Sequence, residues 1–321
     1  MKILITGGAG FIGSNFIRYI LRKYPHYKII NLDKLTYAGN LDNLKDVAHN
    51  KNYTFVKGDI ADAKLVNKLL AKCGCLINFA ASTHVDRSIH DASDFIHTNI
   101  VGTYTLLEAA RLSRLRLFLQ ISTDEVYGSV VKGKSKETDP LFPNSPYSAS
   151  KAAGDHLVRA YSVTYSLPAI ITRSSNNFGP FQYPEKVIPL FVTNLLQGKK
   201  VPLYGDGLNC RDWIFVQDNC AAIDTVLHKG KTGEIYNIGA GNEISNIHLT
   251  KKILKLTNHS ESAIEYVKDR PGHDRRYALA VGKIKALGFR LQYSFEEALE
   301  LTIGWYKDNQ TWWKKIKKRS L

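Results

Sequence analysis

The sequence belongs to the α/β class, a doubly wound parallel sheet followed by a smaller C-terminal lobe. Three features predict this. A strand runs straight into a glycine-rich turn and a helix at the N-terminus, short apolar strands alternate with helical stretches through the first half, and that rhythm changes after residue 175.

The opening Ile3-Leu4-Ile5 is the first strand, and Gly7, Gly10 and Gly13 follow at G-x-x-G-x-x-G spacing before a helix near 11–23. Each missing side chain has a use. Gly7 allows the tight turn, Gly10 lets a pyrophosphate approach the backbone, and Gly13 lets the helix pack closely. The helix N-terminus, with the amides of Phe11 and Ile12, then faces the anion. Lys28-Ile-Ile-Asn-Leu-Asp33 is a second strand ending in an acid twenty residues past Gly13. A carboxylate there accepts from an adenosine ribose and repels a 2′-phosphate, which favours NAD over NADP. This is a Rossmann-type dinucleotide-binding pattern.

Further strands are expected near 53–57, 75–79, 116–121 and 168–172, with helices near 62–72, 92–113 and 147–165. Asp59 follows the third strand, where it either accepts from the adenine amine or caps the next helix. Ala80, Ala81 and Ser82 end the fourth strand, where ligands bind in such sheets. In the 92–113 helix, Phe95, Ile96, Ile100, Val101, Leu106, Leu107 and Ala110 form a stripe too broad for one buried face, which motivates a homodimer. Residues 176–186 form a turn-rich, aromatic loop, and a closing helix is expected near 294–308. The division is a cofactor domain over 1–175, completed by parts of 213–238, and a substrate lobe over 176–321.

With 44 basic against 29 acidic residues in 321, the net charge is +15. The basic residues are scattered, which fits an anionic small-molecule site better than a nucleic-acid surface. The dense run Lys314–Arg319 is expected to be a solvated tail. Cys73, Cys75, Cys210 and Cys220 have neither zinc nor disulfide-framework spacing, so no metal is expected and a reducing cytoplasm is the default. No leader pattern opens the chain and no apolar run approaches membrane-spanning length, so no membrane partner is expected.

Tyr147 and Lys151 stand at i and i+4, on one helix face. An ammonium there lowers the phenol's pKa and holds the nicotinamide ribose, so that the phenolate takes a hydroxyl proton as hydride leaves the same carbon. With the fingerprint and the strand-end Ser122-Thr123, this combination resembles the extended short-chain dehydrogenase/reductases, in which the strand-end hydroxyl completes a triad. Asp124 and Glu125 come next. Two carboxylates beside a hydride-transfer tyrosine suit a second proton removal with expulsion of a hydroxyl; a helix cap or surface turn is the plain alternative.

The chain is also similar to the dTDP-glucose 4,6-dehydratase family along nearly its whole length. The resemblance rests on Thr83-His-Val-Asp-Arg-Ser88, Ser122-Thr-Asp-Glu-Val-Tyr-Gly128, Asn144-Ser-Pro-Tyr-Ser-Ala-Ser-Lys151, Asn176-Asn-Phe-Gly-Pro, Tyr183-Pro-Glu-Lys186, Leu203-Tyr-Gly-Asp-Gly207, Arg211-Asp-Trp213 and Arg270-Pro-Gly-His-Asp-Arg-Arg-Tyr277. It implies Tyr147 as base at the C4 hydroxyl, Lys151 as its partner and Thr123 as donor to the same oxygen. Asp124 would be the acid at C6 and Glu125 the base at C5. It further implies an NAD site that includes Lys34, Thr36, Ile60, Thr98 and Asn177. A dTDP-glucose site would use His84, Thr123, Asn176, Glu185, Lys186, Pro202, Tyr204, Arg211, Asn246, Arg270 and His273, with guanidinium forks suited to a diphosphate. Family members often have Glu-Ser where this chain has Ser82-Thr83. A threonine there also occurs in related UDP-glucose dehydratases, whereas the Arg211 and Arg270 stretches favour dTDP over UDP. An epimerase or decarboxylase on this fold needs Tyr147 and Lys151 but not the acid pair. A non-catalytic dinucleotide-binding protein needs none of these together.

Overall fold

The computed structural model describes residues 1–113 and 115–319. In chain order the regular elements are β1 (Lys2–Thr6), α1 (Phe11–Lys23), β2 (Lys28–Asp33), β3 (Tyr53–Lys57), α2 (Ala63–Leu70), β4 (Cys75–Asn78), α3 (Val85–His90), α4 (Ser93–Phe95), a π-helical segment (Ile96–Gly102), α5 (Thr103–Leu112), β5 (Leu117–Thr123), α6 (Pro146–Tyr165) and β6 (Ala169–Ser174). The second half carries β7 (Asn176–Phe178), α7 (Val187–Leu195), β8 (Val201–Tyr204), β9 (Cys210–Phe215), α8 (Val216–Lys229), β10 (Ile235–Ile238), β11 (Glu243–Ser245), α9 (Asn246–Leu256), β12 (Ile264–Val267), α10 (Gly282–Ala286), α11 (Phe295–Asp308) and α12 (Gln310–Arg319).

A seven-stranded sheet runs in the order β10-β6-β5-β4-β1-β2-β3, with every pairing parallel. The inner strands are short runs such as Lys2-Ile-Leu-Ile-Thr6, because helices cover both faces and each residue meets apolar surface. One face holds Ile3, Phe16, Ile17 and Ile20 against α1 and α8, and the other Leu4, Leu76, Leu106, Phe118 and Val158 against α2, α5 and α6. The first apolar cluster continues through Phe178, Trp213 and Phe295 to Trp313, so the C-terminal segments share its core. Small sheets β11-β9-β7 and β12-β8 build the rest.

Strand order reverses between β1 and β4. Sheets of this kind open a crevice at that point, outside the strands' C-terminal ends.

Two expectations differ from the structure. The helix expected over 92–113 is broken into α4, a π-helical turn and α5. The bulge places Asn99 so that its side chain exchanges hydrogen bonds with Ser82 (3.0 and 3.1 Å) and reaches Ser150 on α6 (2.8 Å). Lys314–Arg319 is not a solvated tail but the end of α12, whose Trp313 and Ile316 are buried. Lys315 pairs with Asp42 at 2.7 Å and Lys317 donates to Asn194, so the basic run lies along a docked helix.

Candidate active site

A cleft of about 300 Å3 opens over the switch point. Gly7, Gly10, Phe11, Ile12 and Gly13 form one wall. Gly7 has φ +68°, and a Cβ there would stand 2.5 Å from the Ala80 nitrogen; one on Gly13 would stand 2.5 Å from the Gly7 oxygen. Glycine is therefore required where turn, helix and neighbouring strand converge. Gly10 caps α1 without a side-chain acceptor, and the first turn carries no acid. The uncapped amides are open to an anion.

Asp33, at the end of β2, is almost fully buried. It accepts from the Ala9 and Leu35 amides at 2.9 and 2.8 Å, and burial pushes its pKa up against these donors. Lys34, Thr36, Asp59, Ile60, Ala80, Ala81, Ser82, Thr98 and Asn177 line the same cleft. Asp59 does not cap α2, a role taken by Asp62; it accepts from the Ala61 amide and pairs with Lys34 at 2.7 Å and His97 at 3.2 Å. The buried Ser122 Oγ, Ser175 Oγ, Asn176 Oδ1 and Asn177 Oδ1 have no protein partner. Buried polar atoms without partners call for one. With the glycine cradle and open helix end, the residues present fit a dinucleotide.

At the far end of the cleft, β5 delivers Thr123, which caps a 3-10 turn over Asp124–Tyr127 by accepting from the Glu125 amide at 3.3 Å. Asp124 is buried, receives a 3.3 Å hydrogen bond from the Thr123 hydroxyl, and leaves Oδ2 unpartnered. Helix α6 starts with a Ser145–Ser148 capping box and Pro146 in its first turn. That start puts Tyr147 and Lys151 on one buried face, where Tyr147 hydrogen-bonds to the Thr123 side chain. All five residues, Thr123, Asp124, Glu125, Tyr147 and Lys151, line the cleft.

Electrostatics divides the two acids. Burial, then Glu125 and Asp212, drive the Asp124 pKa well above the usual range, which favours its protonated form. Burial also raises Glu125, but Arg270, Arg211 and Lys186 oppose it. Lys151 donates to the Ile121 carbonyl at 2.7 Å, and burial lowers its pKa to about 8. The expectation that Lys151 lowers the Tyr147 pKa is not met within the polypeptide. Burial and the Glu125 charge hold that phenol well above its ordinary value, with Thr123 as the opposing hydrogen bond.

Of the residues expected at a nucleotide sugar, Asn176, Glu185 and Lys186 line the cleft with Thr123. Lys186 donates to the Thr83 carbonyl at 3.0 Å. His84 caps α3, with Nε2 3.7 Å from Glu185, and burial followed by Lys186 lowers its pKa to about 4, leaving it neutral. Arg270 pairs with Asp86 at 3.3 Å, Tyr204 reaches the same carboxylate at 3.5 Å, and His273 packs edge-on against Tyr204. Arg211 lies over the Tyr277 ring at 4.3 Å and donates to the Asp274 carbonyl. His84, Tyr204, Arg211, Arg270 and His273, together with Pro202 in β8 and Asn246 opening α9, are not part of the cleft wall. Sequence reasoning missed the wall residues Ser174, Ser175 and Gln182; the first ends β6 and the second follows it, where the rule that ligands bind outside the strands' C-terminal ends could have found them.

The chain matches the family model described as GDP-mannose 4,6 dehydratase over residues 4–302. The chain belongs to this family. Within it, "Low-salt glycan biosynthesis protein Agl12" of Haloferax volcanii is 53% identical over 95% of this chain and 98% of its own. A dTDP-glucose 4,6-dehydratase of Streptomyces niveus is 49% identical over 99% of this chain and 96% of its own. Among solved structures, DesIV, a dTDP-glucose 4,6-dehydratase from Streptomyces venezuelae solved with NAD bound, superposes with a TM-score of 0.97 at 50% identity, covering 98% of this chain and all of its own.

Proposed function

We propose that this protein is an NAD-dependent dTDP-glucose 4,6-dehydratase, a hydro-lyase that yields dTDP-4-keto-6-deoxyglucose and water. The observation that carries this reading is the pair Asp124 and Glu125 beside Tyr147 in one cleft, one acid with its pKa driven up by burial and the other faced by three cations. Relatives about half identical over nearly the full length carry that name.

Bound NAD would accept hydride from C4 and return it at C6, leaving no net redox change. Gly7, Gly10, Gly13 and the amides of Phe11 and Ile12 would hold its pyrophosphate, and Asp33 its ribose. Tyr147 would take the C4 hydroxyl proton as a phenolate, a form that the positive charge of oxidised NAD would favour against burial and the Glu125 charge, and Thr123 would donate to that oxygen. The carbonyl formed at C4 acidifies the C5 hydrogen, which Glu125 removes. Asp124 gives its proton to the C6 hydroxyl, which leaves as water, the proton on Glu125 returns to C5, and the C4 hydroxyl proton taken up by Tyr147 is released as Asp124 is reprotonated, so no net proton is gained or lost. Neutral Asp124 and charged Glu125 are the states these roles require. Arg211, Arg270 and Lys186 serve the diphosphate while keeping Glu125 ionisable. A 4-epimerase would have no use for a buried neutral acid at Asp124.

A homodimer is the proposed assembly, through the apolar residues that α5 and α6 leave exposed. The proposed location is the cytoplasm: Cys73, Cys75, Cys210 and Cys220 are free thiols, in keeping with a reducing compartment. Among the described residues no helix is long and apolar enough to cross a membrane.

The test is incubation with dTDP-glucose deuterated at C4, with UDP-glucose labelled likewise in parallel. Loss of water with deuterium recovered at C6 is expected, faster with the thymidine substrate; retention of both water and label would discard the reading. Glu125→Gln should abolish dehydration while C4 oxidation persists. Dehydration left intact in that variant would remove Glu125 from its role.

A further inference from the structure

The catalytic groups come from two separate pieces of chain. Tyr147 and Lys151 ride on α6, whereas Asp124 and Glu125 sit in the 3-10 turn after β5. One buried guanidinium touches both pieces. Arg173, on β6, is 3% exposed; its Nε donates to Asp155 Oδ2 at 2.9 Å and its NH1 donates to the Tyr127 phenol at 2.9 Å. Asp155 is 1% exposed and stands one helical turn beyond Lys151 on α6. Tyr127 closes the turn that carries the two acids, lies 4.8 Å from the guanidinium across its ring, and passes its own proton to Asn237 Oδ1 at 2.9 Å.

We propose that Arg173 is a positioning residue that sets the spacing between the oxidising pair on α6 and the eliminating pair in the 124–127 turn. It is not part of the cleft wall. The inference rests on the dehydratase reading above, because only a reaction needing both pairs on one sugar makes their spacing matter. Tyr147 must meet the C4 oxygen while Glu125 meets the C5 hydrogen and Asp124 the C6 oxygen, positions fixed by the sugar's own bonds. A rigid fork held at both ends suits that task better than a flexible ammonium. A buried ion pair adds little net stability over apolar packing, so stability alone gives a weak account of this one.

The two arms of the fork predict different defects. Tyr127→Phe cuts the arm to the acid turn and leaves α6 tied. With C4-deuterated dTDP-glucose, C4 oxidation should continue while water loss slows about 10- to 100-fold, the scale of a small misplacement of reacting groups. The near-ultraviolet absorbance of reduced nicotinamide should then build up above its wild-type level. Asp155→Asn weakens the other arm. Asp155 raises the pKa of Lys151, so its loss should move the alkaline limb of the rate profile to lower pH. Arg173→Lys should show the slowed water loss even if Tyr127→Phe does not fold, since it keeps the buried charge.

Folded variants in which oxidation and water loss fall in parallel, or in which neither changes, would overturn the positioning role while leaving the dehydratase reading intact. Wild-type protein that removes no water would overturn that reading and this inference with it.

Discussion

Asp124 shows at the scale of one residue how function and stability oppose each other. Its folded-state pKa lies well above that of an unfolded aspartate, so folding must take up a proton at any pH between the two. The native state therefore loses stability relative to the unfolded chain as pH rises from the ordinary aspartate range towards the raised value. Asp124→Asn removes this dependence. The variant should have a higher Tm than the wild type near neutrality, by a margin that narrows in acid, and no dehydratase activity. Calorimetry across that pH range checks the stability change, and an equal Tm at neutral pH would show that folding does not raise the Asp124 pKa. The other limbs follow similarly. Lys151 loses its charge as pH rises through about 8, so turnover should fall there. The acid limb should lie above the ordinary glutamate range, because Glu125 must ionise against burial. Lys186→Met, removing one opposing cation, should carry that limb further up, as a pH–rate series would show.

At the scale of elements, α12 gives the sharpest test. Trp313 is completely buried and donates to the Tyr306 carbonyl at 2.8 Å. Trp313→Ala should cost about 3–5 kcal/mol, the usual range for emptying an aromatic core site. Urea unfolding reads this directly, and a loss below about 1 kcal/mol would return the segment to the surface role its charge suggests. The element was hard to see because four lysines among Lys314–Lys318 hide an apolar spacing of only Trp313 and Ile316. The parallel strands were legible for the opposite reason, since burial on both faces leaves unbroken apolar runs such as Ile3-Leu4-Ile5. The glycine turn and Tyr147–Lys151 were legible because local geometry fixes their spacing. Arg211 and Arg270 were legible only through the family resemblance: they are far from Glu125 in sequence, and only the folded second lobe brings their charges near. The π-helical turn at Asn99 likewise depends on partners at Ser82 and Ser150 that no local pattern reveals.

The whole molecule leaves one surface unexplained by its own core. Ile96 (51% exposed), Val101 (43%), Tyr104 (49%) and Leu112 (65%) project from the π-helical segment and α5, while Val163 (69%) and Tyr165 (52%) project from the adjoining α6. Arg111 reaches across from α5 to lie 5.1 Å over the Tyr165 ring, so the two helices present one continuous face. Single exposed apolar residues are ordinary, but a grouped patch on two packed helices marks an interaction site. A second copy of the chain is the proposed occupant, because a two-fold dimer, the commonest assembly, needs only one such patch meeting its own copy. The same α6 carries Tyr147 and Lys151 at its other end, so pairing would also stiffen the catalytic helix. Val101→Asp with Val163→Asp places a charge on each helix within the patch without touching the cleft. Sedimentation equilibrium should give a dimer for the wild type and a monomer for the double variant. The monomer should retain bound cofactor but turn over more slowly and unfold at a lower temperature. A wild type that sediments as a monomer at micromolar concentration would end the dimer proposal and leave this face to a different partner.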